Sequence, residues 1–155
     1  MNYKIAFLIG SESDRKVAES SIPYFNYFNL HLDLLVMSAH RNPHEVSDFA
    51  SNARNNGYSL IICGAGMAAH LGGAVKANTT LPVIGVPLPG GMMDGLDSLL
   101  STVQMPKGVP VATMSVGKSG AINAAIFCAE VLSLNNNELS EKLDKFKKNG
   151  AKISD

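Results

Sequence analysis

Five short runs of β-forming apolar residues, at 3–9, 32–37, 60–63, 83–86 and 109–114, are separated by segments that carry helical punctuation. No other feature of the chain narrows its fold as much. Strand alternating with helix predicts an α/β chain with a parallel sheet covered on both faces, and continuous Val/Ile/Leu runs suit strands buried on both sides. At 155 residues and 46% hydrophobic composition, the chain is long and apolar enough for one domain over 1–155.

The second helix is the best marked. Asn42 can cap it, Pro43 suits its first position, Glu45 stands where a capping-box acid would, and Gly57 follows its end. The stretch 37-MSAHR-41 therefore falls at a strand's carboxyl end, just before a helix N-terminus. The stretch 10-GSESD-14 has the same place after the first strand, and 64-GAGMAAHLGG-73 after the third. In an open α/β sheet these carboxyl ends are where ligands bind.

Thirteen basic residues balance thirteen acidic ones, and 6% aromatic content without Trp offers neither an electrostatic footprint nor stacking platforms for nucleic acid. No apolar stretch approaches a membrane span and no signal-peptide pattern opens the chain, so the expected location is cytoplasmic. Cys63 and Cys128 share no metal-ligand spacing and read as small buried hydrophobes. The run from Ser119 through Leu132 is apolar on nearly every side, which favours a helix packed against a neighbouring subunit as well as the sheet. In the last segment, Leu139, Leu143 and Phe146 share one helical face, and the helix should stop near Gly150.

The three turns offer complementary chemistry. In the first, hydroxyls and the Asp14 carboxylate precede a helix whose free N–H groups attract anions, although Ser13 or Asp14 could simply cap that helix. In the second, Arg41 can fork onto a phosphate with Ser38 donating beside it, which leaves His40 as an imidazole for proton transfer. In the third, small residues allow close backbone approach to a planar ligand, and His70 is either part of the site or a surface residue. His31, placed before a strand, and His44, in a helix's first turn, suit solvated positions. P-loop, dinucleotide-binding and nucleophile-elbow patterns are absent, and no His/Asp/Glu cluster has a metal-ligand spacing.

Read together, 10-GSESD-14, 38-SAHRNP-43 and 64-GAGMAAHL-71 resemble the PurE family of purine biosynthesis, and the resemblance continues through 81-LPVIGVP-87, 97-DSLLSTVQMPKGVPVAT-113 and 117-GKSGAINAA-125. It implies a three-layer flavodoxin-like sandwich with a central five-stranded parallel sheet and a C-terminal helix. It also implies a homo-octamer with sites at subunit junctions, and no metal or organic cofactor. The small-molecule substrate would be a ribonucleotide. Within the family, one branch moves a carboxylate within N5-carboxyaminoimidazole ribonucleotide, and the other carboxylates aminoimidazole ribonucleotide with CO2. Arg41 resembles the first, mutase branch, since the second usually carries lysine there.

Carried over residue by residue, the resemblance makes His40 the general acid/base. Ser11, Ser38 and Arg41 then hold the 5′-phosphate region, Asp14 the ribose hydroxyls, and Ala65, Gly66, His70 and Leu71 the imidazole and its carboxylate, with Ser13 and Ala39 also among the substrate-binding residues. Met67, Gly72 and 90-GG-91 depart from the usual family residues, which bears on the loop near the base and not on the reaction class. The competing readings are the direct carboxylase, a non-catalytic nucleotide-sensing domain, and, from architecture alone, a flavin or dinucleotide domain.

Overall fold

The computed structural model describes residues 3–153. These form five strands in one all-parallel sheet of order β2-β1-β3-β4-β5: β1 (Lys4–Ile9), β2 (His31–Val36), β3 (Tyr58–Ala65), β4 (Val83–Pro87) and β5 (Ala112–Thr113). This is the flavodoxin-like arrangement, in which the strand order reverses between β1 and β3. The last strand is much shorter than the apolar run 109–114 suggests. Pro110 has no N–H to donate, so the ladder on β4 begins only at Ala112, paired with Ile84.

Strand alternation assigns the two faces of the sheet. Ile5, Phe7 and Ile9 of β1, with Leu60 and Ile62 of β3, pack beneath α1 (Arg15–Glu19), α2 (Ile22–Tyr27), α6 (Lys118–Ser133) and α7 (Asn137–Lys148). Ala6 and Leu8, with Ile61 and Cys63, face α3 (Pro43–Asn52) and α4 (Leu71–Lys76). The helix α5 (Leu96–Val103) lies against β4, where Gly85 leaves room for Thr102 and Val111.

Helix α6 turns Gly120, Ala121, Ala124, Ala125, Cys128 and Ala129 into the core. Its other sides meet α1, α2 and α7 of the same chain, which accounts for much of its apolar circumference without a neighbouring subunit. Leu139, Leu143 and Phe146 of α7 are buried, and Phe146 stacks edge-on with Tyr24 and Phe28. Both cysteines are free and buried, and burial pushes their thiols well above the usual range. His31 opens β2 rather than preceding it and bonds to Asp33, whereas His44 is exposed in the first turn of α3.

At the amino ends of the strands, Asp33 gathers Lys4 at 2.9 Å, the Tyr58 hydroxyl at 2.5 Å and His31 at 3.1 Å. At the carboxyl ends the register leaves Ile9, Val36 and Gly64 level. Backbone bonds continue past the strands: Gly10 N–H donates to Gly64 O at 3.2 Å, Met37 N–H to Ile9 O at 2.9 Å, and Leu88 N–H to Ala65 O at 2.9 Å. The four turns that follow these strands are therefore held at one height, along one rim.

Candidate active site

The rim encloses an open cavity of about 660 Å³ astride β1 and β3. Ser11, Ser13 and Asp14 border it from the first turn, Ser38, Ala39, His40 and Arg41 from the second, and Ala65, Gly66, His70 and Leu71 from the third. The three turns thus border a common space. The structure adds Gly10, Met67, Ala68, Pro89 and Gly90 to the wall. Pro89 and Gly90 follow β4, so the rule that picked the other turns could also have picked this one.

In the first turn, residues 12–14 form a single 3-10 turn capped by Ser11, whose hydroxyl accepts from Ser13 N–H at 3.4 Å and from the Ser13 hydroxyl at 3.0 Å. Asp14 precedes α1 but makes no capping bond, so capping does not consume its carboxylate. Partial burial raises its pKa above the ordinary carboxylate value, against contacts with Ser11 and Ser13 that favour the ionised form. Glu12 is turned away into an ion pair with Arg15.

In the second turn Asn42 acts differently from a simple cap. Its side-chain oxygen accepts from Ser38 N–H at 2.8 Å while its amide nitrogen donates to Glu45. Asn42 N–H reaches Ser38 O at 3.0 Å, and Arg41 N–H reaches the Ser38 hydroxyl at 3.3 Å. The four residues 38–41 are thereby tied into a closed turn. That leaves the Arg41 guanidinium exposed and without a partner among the described residues, as a group meant for an external anion would be.

The third turn is held from a distance. Met67 has φ 54, a left-handed conformation uncommon for a residue with a side chain. Ser101 on α5 anchors it, accepting from Ala69 N–H at 2.9 Å and lying 3.2 Å from Met67 O. No local signal marks Ser101, because it lies 32 residues from Ala69 in the chain. The turn brings His70 to His40: Nε2 of His40 and Nδ1 of His70 are 2.7 Å apart, with the rings at 82°.

Among the described residues no three His, Cys, Asp or Glu side chains gather as a metal site would require. No helix among them is long and apolar enough to cross a membrane. What the cavity offers is one imidazole pair, one unpaired guanidinium, one uncapped carboxylate, several hydroxyls and a wall of small residues. A smaller cavity of about 240 Å³, between Leu30 and Lys142, has no comparable set.

Fold and site together define a flavodoxin-like protein with a polar ligand cavity at the switch point of its sheet. The sequence profile of the AIR carboxylase family matches residues 4–152, and the chain belongs to that family, the PurE family of the motifs quoted above. It is 43% identical over 145 residues to the N5-carboxyaminoimidazole ribonucleotide mutase of Escherichia coli K12, covering 94% of this chain and 86% of that one. It is 46% identical over 145 residues to the same-named protein of Bacillus subtilis 168, covering 94% and 90%. With that of Saccharolobus solfataricus it shares 45% over 143 residues, 92% and 89% of the two chains. The crystal structure of Treponema denticola PurE superposes with a TM-score of 0.87 over 97% of this chain and 92% of that one, at 24% identity, and supports the fold.

Proposed function

We propose that this chain is an N5-carboxyaminoimidazole ribonucleotide mutase of purine biosynthesis, moving a carboxylate from the exocyclic nitrogen to C4 with His40 as general acid and base. The observation that carries the reading is the position of His40. It lines the same cavity as Arg41 and the small residues of the third turn, and its Nδ1 has no partner among the described residues. A carbamate nitrogen releases CO2 once it is protonated, and the enamine-like C4 beside it can then capture that CO2. The tetrahedral carbon regains aromaticity by losing a proton. One imidazole can give the first proton and take the second, returning to its starting state, and each transfer is worth about 10²–10⁴-fold.

Arg41 and Ser38, with Ser11 and Ser13, anchor the 5′-phosphate, and Asp14 accepts from the ribose hydroxyls. Ala39, Ala65, Gly66 and Leu71 wall the imidazole, where released CO2 must be kept in contact with the amine. The proposal includes a single-domain organisation over 1–155, a cytoplasmic setting and a homo-octamer with sites at subunit junctions. The octamer draws support from Leu96, Leu100 and Val103, which follow one exposed face of α5 beside exposed Met92 and Met93.

The test supplies the purified protein, without ATP or metal, with N5-carboxyaminoimidazole ribonucleotide or with aminoimidazole ribonucleotide plus bicarbonate. Rapid conversion of the first, with the second needing very high bicarbonate, is expected; efficient use of CO2 would make it the carboxylase instead. His40→Asn should bind substrate normally and lose most turnover. Near-normal turnover would remove His40 from its role.

A further inference from the structure

We infer that His70 is a positioning residue for His40, fixing which ring nitrogen of His40 carries the reaction proton. This deepens the mutase reading and rests on it.

At 2.7 Å, a single proton must lie between His40 Nε2 and His70 Nδ1. Two arrangements are possible. If His70 Nδ1–H donates, neutral His40 carries its own proton on Nδ1, and that nitrogen has no lone pair with which to act as a base. If His40 Nε2–H donates, neutral His40 has a bare Nδ1, and its protonated form carries the extra proton there. Only the second arrangement allows His40 to give a proton to the carbamate nitrogen, remain Nε2–H, and take the C4 proton back onto the same Nδ1. Through that cycle His70 stays neutral, accepts through Nδ1 and keeps its own proton on Nε2. No net proton is gained or lost.

The surroundings agree with this assignment. Neither ring has another hydrogen-bond partner among the described residues, so each orients the other. The near-perpendicular rings, at 82°, place the edge of His40 against the edge of His70 instead of stacking them. Both residues are exposed at the cavity, so neither is held by burial. The backbone of His70 is fixed independently, through its N–H to Ala68 O at 2.9 Å and through Ser101 on the preceding turn.

The experiment pairs ligand-free protein labelled with ¹⁵N in histidine with turnover assays on the wild type, His70→Leu and His70→Asn. Asn can return an acceptor near the position of Nδ1, and Leu cannot. The His40 resonances are assigned by their absence in His40→Asn. Neutral His40 should show the Nε2–H pattern in the wild type, a mixture of tautomers in His70→Leu, and largely the wild-type pattern in His70→Asn. Turnover of the Leu variant should fall about 10- to 100-fold with little change in KM, as expected for a misdirected proton transfer, and the Asn variant should recover most of it. An unchanged His40 tautomer in His70→Leu, or an effect confined to KM, would overturn the assignment and make His70 a substrate contact. Wild-type protein inactive on both substrates would sink the mutase reading, while the spectra would still decide the pairing.

Discussion

Gly85 lets α5 and the 111–113 segment close on β4. A Cβ there would stand 2.9 Å from Val111 Cγ1 and closer still to Thr102 Cγ2. Methyl carbons in contact need about 3.5–4.0 Å, so Gly85→Ala must push α5 or the 111–113 segment away by about 1 Å. Thr102 cannot simply turn aside: it is 6% exposed and its hydroxyl donates to Ser98 O at 2.7 Å. Overpacking of this kind costs about 1–3 kcal/mol, offset by about 0.4–1 kcal/mol from the less flexible unfolded chain. A net loss of about 1–2 kcal/mol should lower Tm by about 2–8 °C in a chain of this size. The same outward shift of α5 carries Ser101 away from Ala69 N–H, so KM should rise alongside the stability loss. The assay is thermal unfolding and steady-state kinetics of Gly85→Ala, Thr102→Ser and the double variant. Serine keeps the bond to Ser98 and removes the methyl, so the double variant should regain about 1 kcal/mol beyond additivity. Strict additivity, or a wild-type Tm for Gly85→Ala, would refute this account of the strand–helix contact.

Two further perturbations separate binding from stability. Arg41→Ala removes an exposed guanidinium that has no partner among the described residues, and loss of a charge-assisted contact worth about 1.5–3 kcal/mol should raise KM about 10- to 100-fold with turnover largely kept; an unchanged KM would argue against phosphate anchoring. Burial alone would push the Asp33 carboxyl up, but hydrogen bonds from Tyr58, Lys4 and His31 outweigh it and hold it below the ordinary range. Its contribution is therefore complete above about pH 4, where the unfolded carboxyl is ionised, and is lost as pH falls through the lower folded value. Asp33→Asn should flatten the acid side of a Tm-against-pH curve; a curve parallel to the wild type's would remove Asp33 from that role.

How much of the site could be foreseen differs from turn to turn. The Ser38–Arg41 turn was legible because Asn42, Pro43 and Glu45 mark a helix start, and a helix start after an apolar run locates a strand's carboxyl end. What Asn42 does there was not legible: it bonds back to Ser38 instead of capping α3. Its side chain bonds both Ser38 N–H and the Glu45 carboxylate, and only the relative positions of these groups and the free N–H groups of the helix decide where an Asn side chain goes. The fifth strand is shorter than its apolar run suggests for a related reason, since the run suits a strand while Pro110 withholds the bond that would extend one.

Composition, period and turn chemistry are local, and they determined the alternation of strand and helix, the parallel sheet and the three polar turns. They also placed the imidazoles of His40 and His70 at those turns. Assembly of the site was decided by the tertiary structure. Strand register levels the turns, α5 reaches back through Ser101, and two histidines 30 residues apart come within a shared proton of each other. The physical reason is distance. A hydrogen bond depends on fractions of an ångström between groups whose separation along the chain carries no such information, and only the packed sheet converts one into the other.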